Sequence, residues 1–372
     1  MKVLIFSMTC GEGHNMISKS LVQAFNNKNI EAKIVQTFGY DEKRVALENK
    51  KFLWACKHIP HSYDFIWNKL RKKNHFTDKL PGYVKNCLPH FTKEINDFQP
   101  DTIICTHCYA SSVITYMKKQ NLLDKNILTS TVLFDFCLAP YWEHSNKVDF
   151  IFQPFENTTQ DLIEKGYKKE QIITTGIPIR NDFYIPYEQD KIQEELKIPH
   201  KFTALIVAGG NGIGNTFKLL KSILKKKLDI NIIVINGKNK ITYNKIDSYL
   251  QKNKITNVIN LGFVNNIDQY MKASDLIISR CGGCGISEIL ALGKPFIIRE
   301  KLIINEKINK KMFIDLGCAL GIDKISQIGN KVEYIVNNPL IFNSMKENIK
   351  KLQQKNSAEQ IVDFLITKKM SK

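Results

Sequence analysis

The chain has 372 residues, 43% hydrophobic and 24% charged, an ordinary globular composition and long enough for two domains with a core each. Lys and Arg number 54 against 36 Asp and Glu. The resulting net charge of +18 favours polyanions, nucleic acid or an anionic membrane surface, although a composition rich in Lys, Asn and Ile also follows from AT-rich coding. No run reaches the roughly 18 to 20 unbroken apolar residues of a membrane span, and nine scattered cysteines argue against a disulfide framework. The opening MKVLIF breaks at Ser7 and Thr9, too soon for a secretory signal, so a cytosolic setting is expected.

In chain order, residues 2–7 read as a buried strand, 8–14 as a turn, and 15–29 as a helix with apolar residues at 16, 17, 21, 22 and 25. A strand at 32–38 follows, and then residues 42–96 break the alternation, being helical, basic and aromatic. Strands at 101–107, 127–135, 148–154 and 172–179 complete a first half, and the polar, proline-bearing stretch 180–200 reads as the connection. The second half alternates strands at 202–210, 231–237, 258–264, 275–280 and 295–300 with helices at 215–227, 243–253, 266–273 and 284–292. Residues 331–366 read as terminal helices. The pattern predicts an α/β protein with two parallel sheets, whose strand ends would line a shared cleft.

Three turns share one layout of strand, small residues and helix: FSMTCGEGHNMI, IVAGGNGIGNTF and IISRCGGCGISEI. Glycine lets backbone N–H groups approach a ligand, and a helix N-terminus favours negative charge, so the two turns of the second half predict a diphosphate site. None is followed by the Gly-Lys-Ser/Thr of a phosphate-binding loop, and none has the spacing of a dinucleotide fingerprint. The second turn contains Gly210 and Asn211, the third Cys281 and Cys284. With Cys105 and Cys108 these thiols could in principle hold zinc. The two pairs fall in different predicted domains at strand ends, however, and read better as small residues of glycine turns, so no metal is expected.

Six segments in order carry a further signal: Gly11-x-Gly13-His14, DFCLAPYW at 135–142, TGIPIR at 175–180, VAGGNG at 207–212, LGFV at 261–264 and SRCGGCGISEILALGKP at 279–295. Together they resemble the family 28 glycosyltransferases. That group includes processive diacylglycerol glucosyltransferases, monogalactosyldiacylglycerol synthases and, more distantly, the N-acetylglucosaminyltransferase that makes lipid II. The resemblance implies a GT-B fold of two Rossmann-like domains facing a central cleft. Residues 1–182 would bind acceptor and membrane, 183–350 a UDP-sugar donor, and 351–372 would form a terminal helix placed to pack back on the first domain. The implied reaction is transfer of a hexose with inversion, without a cofactor or an essential metal, to diacylglycerol or a glycosyl-diacylglycerol on the inner face of the cell membrane.

Residue by residue, the resemblance gives Glu288 to the ribose hydroxyls, Gly283 and Gly285 to the diphosphate, and the segment of Phe263 and Val264 to the uracil ring. Asn211 and Arg180 match positions near pyrophosphate and base, where an arginine offsets charge on the leaving UDP. Asn305, Glu306 and Asn309 stand where the family reads sugar hydroxyls, but the family's preceding Pro-Gly is absent, which leaves the hexose open.

His14 matches the family histidine and is the candidate base: at a helix start the dipole disfavours imidazolium. It could instead cap the turn or position the acceptor. Asp135 is the reserve candidate, or a loop cap, and Thr9 stands where the galactolipid synthases have an aspartate. The acceptor side would include Gly11 and Gly13. In the basic–aromatic stretch, Trp54, Trp67, Lys69, Arg71, Lys72 and Lys73 suit an interfacial helix on anionic lipid, or alternatively a core packed with aromatics. No nucleic acid is expected as partner. The competing readings are transfer to an undecaprenyl-linked or small-molecule acceptor, a UDP-sugar 2-epimerase of the same fold, and a non-catalytic lipid-binding relative.

Overall fold

The computed structural model describes residues 1–9, 13–43, 45–47, 49–50, 54, 64–65, 67–69, 82–140, 142, 145–210, 212, 214–300 and 302–371. The chain divides into two compact units. The first comprises Met1–Asn181, Ile303–Asn305 and Gln354–Lys372, and the second Asp182–Leu302 and Glu306–Gln353.

The first unit runs β1 (Lys2–Ser7), α1 (Gly13–Asn26), β2 (Glu31–Gln36), α2 (Gly82–Phe98), β3 (Thr102–Cys105), α3 (Cys108–Lys119), β4 (Leu128–Val132), β5 (Phe150–Gln153), α4 (Thr159–Glu164) and β6 (Ile172–Thr174). Its sheet is parallel in the order β2-β1-β3-β4-β5-β6. β1 reads KVLIFS and is buried from its second residue on, because helices cover both faces of such a sheet and select continuous apolar runs. The order reverses at β1, which has β2 on one side and β3 on the other, and Phe6 pairs with Cys105. The turns after β1 and β3 therefore emerge side by side at a topological switch point, where open α/β sheets place their ligands. The chain's last helix, Ser357–Met370, packs on α1.

The second unit opens with α5 (Gln189–Glu195) and continues through β7 (Thr203–Val207), α6 (Thr216–Leu224), β8 (Asn231–Ile235), α7 (Lys240–Lys252), β9 (Val258–Leu261), α8 (Ile267–Lys272) and β10 (Leu276–Ser279). It ends with α9 (Gly283–Ala291), β11 (Phe296–Ile298), α10 (Ile304–Asp315, whose first two residues count with the first unit), β12 (Ala319–Gly321), α11 (Ile328–Val336) and α12 (Pro339–Leu352). Its sheet is parallel in the order β12-β11-β10-β7-β8-β9, so its switch point lies between β7 and β10. Asn215 and Asn239 cap α6 and α7 by accepting from the N–H groups of Lys218 and Thr242.

Five elements were not read from the sequence: α3, α4, α5, α10 and β12; α4 and α5 span six and seven residues, too few for a helical period to show. α3 is buried on nearly all sides, and α10 is rich in Asn and Lys, so neither shows a clean apolar stripe. The strand read at 172–179 stops at Thr174, since Gly176 turns the backbone to φ +91° and Pro178 follows.

Candidate active site

At the switch point of the first unit, His14 is the second residue of α1 and is 3% exposed. Its Nδ1 is hydrogen-bonded to the carbonyl oxygen of Thr106, which follows β3. A carbonyl only accepts, so Nδ1 carries the proton and Nε2 keeps its lone pair, the tautomer a general base requires. The ring packs on Phe134 with centroids 4.1 Å apart and meets the edge of His107 at 4.7 Å. Burial pushes its pKa down to about 4, outweighing the opposing effect of the Thr106 carbonyl. The helix dipole acts in the same direction, as expected from the sequence, but desolvation is the dominant cause.

His107 is the N-cap of α3, its Nδ1 accepting from the N–H of Tyr109 at 3.1 Å, so its Nε2 carries the proton. Burial, and secondarily His14, hold it well below the ordinary histidine range. From His107 an aromatic line continues through Tyr109 to Tyr83, with centroids 4.7 and 4.6 Å apart.

Asp135 lies just beyond β4 and is 6% exposed. One of its oxygens accepts from the N–H of Phe136 at 3.0 Å and the other from the side-chain amide of Asn305. The carboxylate thus holds Asn305 in place, and both residues belong to the first unit. Arg180, half-buried, also falls in that unit.

The basic–aromatic stretch divides. Trp54 is 54% exposed and Lys69 is exposed, whereas Trp67 is 3% exposed and is a core residue, not a membrane contact as the composition suggested. An indole buried to that extent has no face to offer a bilayer, and its truncation would cost about 3–5 kcal/mol. Arg71, Lys72, Lys73 and Gly11 lie outside the described residues, while Gly13 is the first residue of α1.

At the switch point of the second unit, α9 begins behind Gly282, which has no side chain to cap it, and its first turn is Gly283, Cys284, Gly285 and Ile286. Its leading N–H groups therefore have no side-chain partner at the cap position, an arrangement suited to an anion. A Cβ at Gly210 or Gly285 would meet nothing within 4 Å, so close protein packing does not dictate glycine at either position. A ligand pressed against the backbone would. Asn211 lies outside the described residues.

Glu288 is the sixth residue of α9 and half-buried. Phe263, just past β9, is 56% exposed with Lys238 Nζ 5.8 Å from its ring centre, and Val264 beside it is half-buried. Glu306 accepts from Arg280 Nη2 at 2.7 Å. Asn309 is fully buried and donates to the carbonyl of Cys281 at 2.9 Å. Two residues matched to sugar recognition thus brace the turn that leads into α9. Cys281 is buried and Cys284 half-buried, neither in a disulfide; among the described residues no group of three or more His, Cys, Asp or Glu could hold a metal.

Thr106, His107, Phe134, Arg280 and Arg299 are the site residues that sequence reasoning missed. A usable signal existed for the first two: CTHC ends a strand that parallel pairing sets beside the glycine turn holding His14.

Solved structures share this architecture along the whole chain. MurG of Acinetobacter baumannii superposes with a TM-score of 0.68 at 15% identity, covering 98% of this chain and 99% of that one. The UDP-GlcNAc 2-epimerase of Neisseria meningitidis, solved with UDP-GlcNAc, gives 0.61 at 16% identity, covering 99% and 100%. The two parallel-sheet units are those of a GT-B fold. The family model of monogalactosyldiacylglycerol synthase matches residues 14–179, and that of the glycosyltransferase family 28 C-terminal domain matches 204–362. The chain is 28% identical over 376 residues to a processive diacylglycerol beta-glucosyltransferase of Bacillus licheniformis, covering 98% of this chain and 94% of that protein. It is 27% identical over 369 residues to one of Bacillus cereus, covering 98% and 93%. The chain belongs to glycosyltransferase family 28.

Proposed function

We propose that the chain is an inverting hexosyltransferase. It moves a hexose from a UDP-sugar, UDP-glucose or UDP-galactose, to diacylglycerol or a glycosyl-diacylglycerol. The acceptor follows from the names of the relatives that match over nearly the whole chain, and the UDP donor from solved neighbours that carry UDP or a UDP-sugar. The structural observation that carries the reading is the hydrogen bond from His14 Nδ1–H to Thr106, which leaves Nε2 unprotonated.

In this mechanism Nε2 of His14 takes the proton of the acceptor hydroxyl as its oxygen attacks the anomeric carbon. The bond from that carbon to the diphosphate oxygen breaks, and UDP leaves with the electron pair. The leading N–H groups of α9 meet the diphosphate charge, so a metal is not required. Glu288 takes the ribose hydroxyls and the segment of Phe263 and Val264 the base. The line His107, Tyr109, Tyr83 offers an apolar wall of the kind a lipid acceptor needs. A net charge of +18, with Trp54 and Phe65 exposed at 54% and 69%, supports peripheral attachment to anionic lipid.

The test combines purified protein, diacylglycerol in mixed micelles and a panel of UDP-sugars, with lipids read by mass spectrometry. Diacylglycerol carrying one or more hexoses is the expected product. Conversion of a UDP-sugar to its 2-epimer, or hydrolysis without any lipid product, would overturn the reading. For the membrane part, sedimentation with phosphatidylglycerol vesicles should be lost at high salt; equal recovery on neutral vesicles would count against it.

A further inference from the structure

Four charged side chains share one patch at the ends of β10 and β11. Arg280 Nη2 donates to Glu306 at 2.7 Å. Arg299 is 1% exposed and lies against Gly214 in the loop after β7, where φ is +136° and a Cβ would come within 2.0 Å of the guanidinium. Its electrostatic neighbours are Glu300, Arg280 and Glu306.

Glu300 is the residue that packing within the chain does not explain. It is 6% exposed, and neither carboxylate oxygen has a hydrogen-bond partner among the described residues. Its ion-pair contact, Arg299 Nη2, stands 4.0 Å away, beyond hydrogen-bond range. A carboxylate withdrawn from water without hydrogen bonds destabilises the fold that holds it, and such groups cluster where a ligand supplies the missing donors. Glu306 is already engaged by Arg280, so Glu300 is the carboxylate of the patch with both oxygens to offer.

We propose that Glu300 accepts hydrogen bonds from hydroxyl groups of the donor hexose and takes part in selecting the sugar. This rests on the reading of the second unit as the donor site. The chemistry favours a hydroxyl: phosphate oxygens bring no proton and repel a carboxylate, whereas a sugar hydroxyl donates and is read in direction as well as distance.

Calorimetric titration of UDP, UDP-glucose and UDP-galactose into wild type, Glu300→Gln and Glu300→Ala tests this. UDP affinity is expected to stay within about 2-fold, while the preferred UDP-hexose weakens by about 10-fold or more in Glu300→Ala and the preference between the two epimers narrows. The unfolding midpoint of Glu300→Gln is read beside the affinities, because neutralising Glu300 also takes the nearest counter-charge from the buried Arg299. Equal weakening of UDP and UDP-hexose, or a lowered midpoint with loss of both, would show a structural role and overturn the proposal. Unchanged UDP-hexose affinity in the variants of a protein that binds UDP overturns this inference alone. A wild-type chain that binds neither UDP nor UDP-hexose overturns the donor reading as well.

Discussion

The two switch points of this chain occupy the same topological position and hold opposite chemistry. Between β1 and β3 the polar side chains are neutral: two buried imidazoles, one fixed by a backbone carbonyl and the other by a backbone N–H, among aromatic rings. Beside β7 and β10 they are charged, with Arg280, Arg299, Glu300 and Glu306 clustered near a helix N-terminus. A group that must accept a proton from an alcohol works when desolvated and uncharged. A pocket for a departing nucleoside diphosphate works through fixed dipoles and cations. The fold supplies the location in both cases, and a handful of residues at the strand ends supplies the difference.

The largest expected effect lies on the neutral side. His14→Ala should lower turnover by about 10²–10⁴-fold, the span of a lost general base, while UDP affinity by calorimetry stays within about 2-fold. Turnover above one tenth of wild type would break the comparison and return His14 to a packing role. Next comes the pH dependence of stability. The folded pKa of His14, about 4, lies below its ordinary value of 6.5, so between them the unfolded chain binds a proton that the folded chain does not. The contribution is fully present above pH 6.5 and is lost as pH falls towards 4, amounting to about 3 kcal/mol. His107 acts in the same direction. Urea unfolding at pH 7 and pH 4.5 should therefore show a smaller acid loss in His14→Gln than in wild type, with the remainder due partly to His107. An identical loss in the two proteins would mean that burial of His14 does not hold its ring neutral.

The strands could be read from the sequence because both faces of each sheet are covered, which turns strands into unbroken apolar runs such as TIIC and NIIVI. His14 could be read as well, since a strand, two glycines and a histidine lie within one local segment. Its partners could not, because Thr106 and Phe134 arrive from more than 90 residues away and only the register of parallel strands brings them to the same edge. Arg299 and Glu300 look like surface residues after a short strand, and nothing local shows that both are over nine-tenths buried. Trp67 and Trp54 are compositionally equivalent in a basic–aromatic stretch, yet one fills the core and the other faces solvent. Periodicity over so few residues cannot separate them.

A smaller effect sharpens the charged side of the comparison. Asn309 is matched by family resemblance to sugar recognition, but its amide reaches the carbonyl of Cys281 at 2.9 Å and the residue is fully buried. Its physical role is therefore to hold the turn from which α9 presents its N–H groups. Asn309→Ala leaves a buried carbonyl with one donor fewer, a loss of about 1–3 kcal/mol in urea unfolding. It should also weaken UDP and UDP-hexose together by a few-fold, about 1 kcal/mol, as the turn loosens. Turnover at saturating donor should stay within about 2-fold, because the first unit and His14 are untouched. If the variant instead kept UDP affinity and lost discrimination between hexoses, Asn309 would contact the sugar directly. Glu300 and Asn309 would then share one task, and a double variant would show coupling where the arrangement described here predicts independent effects.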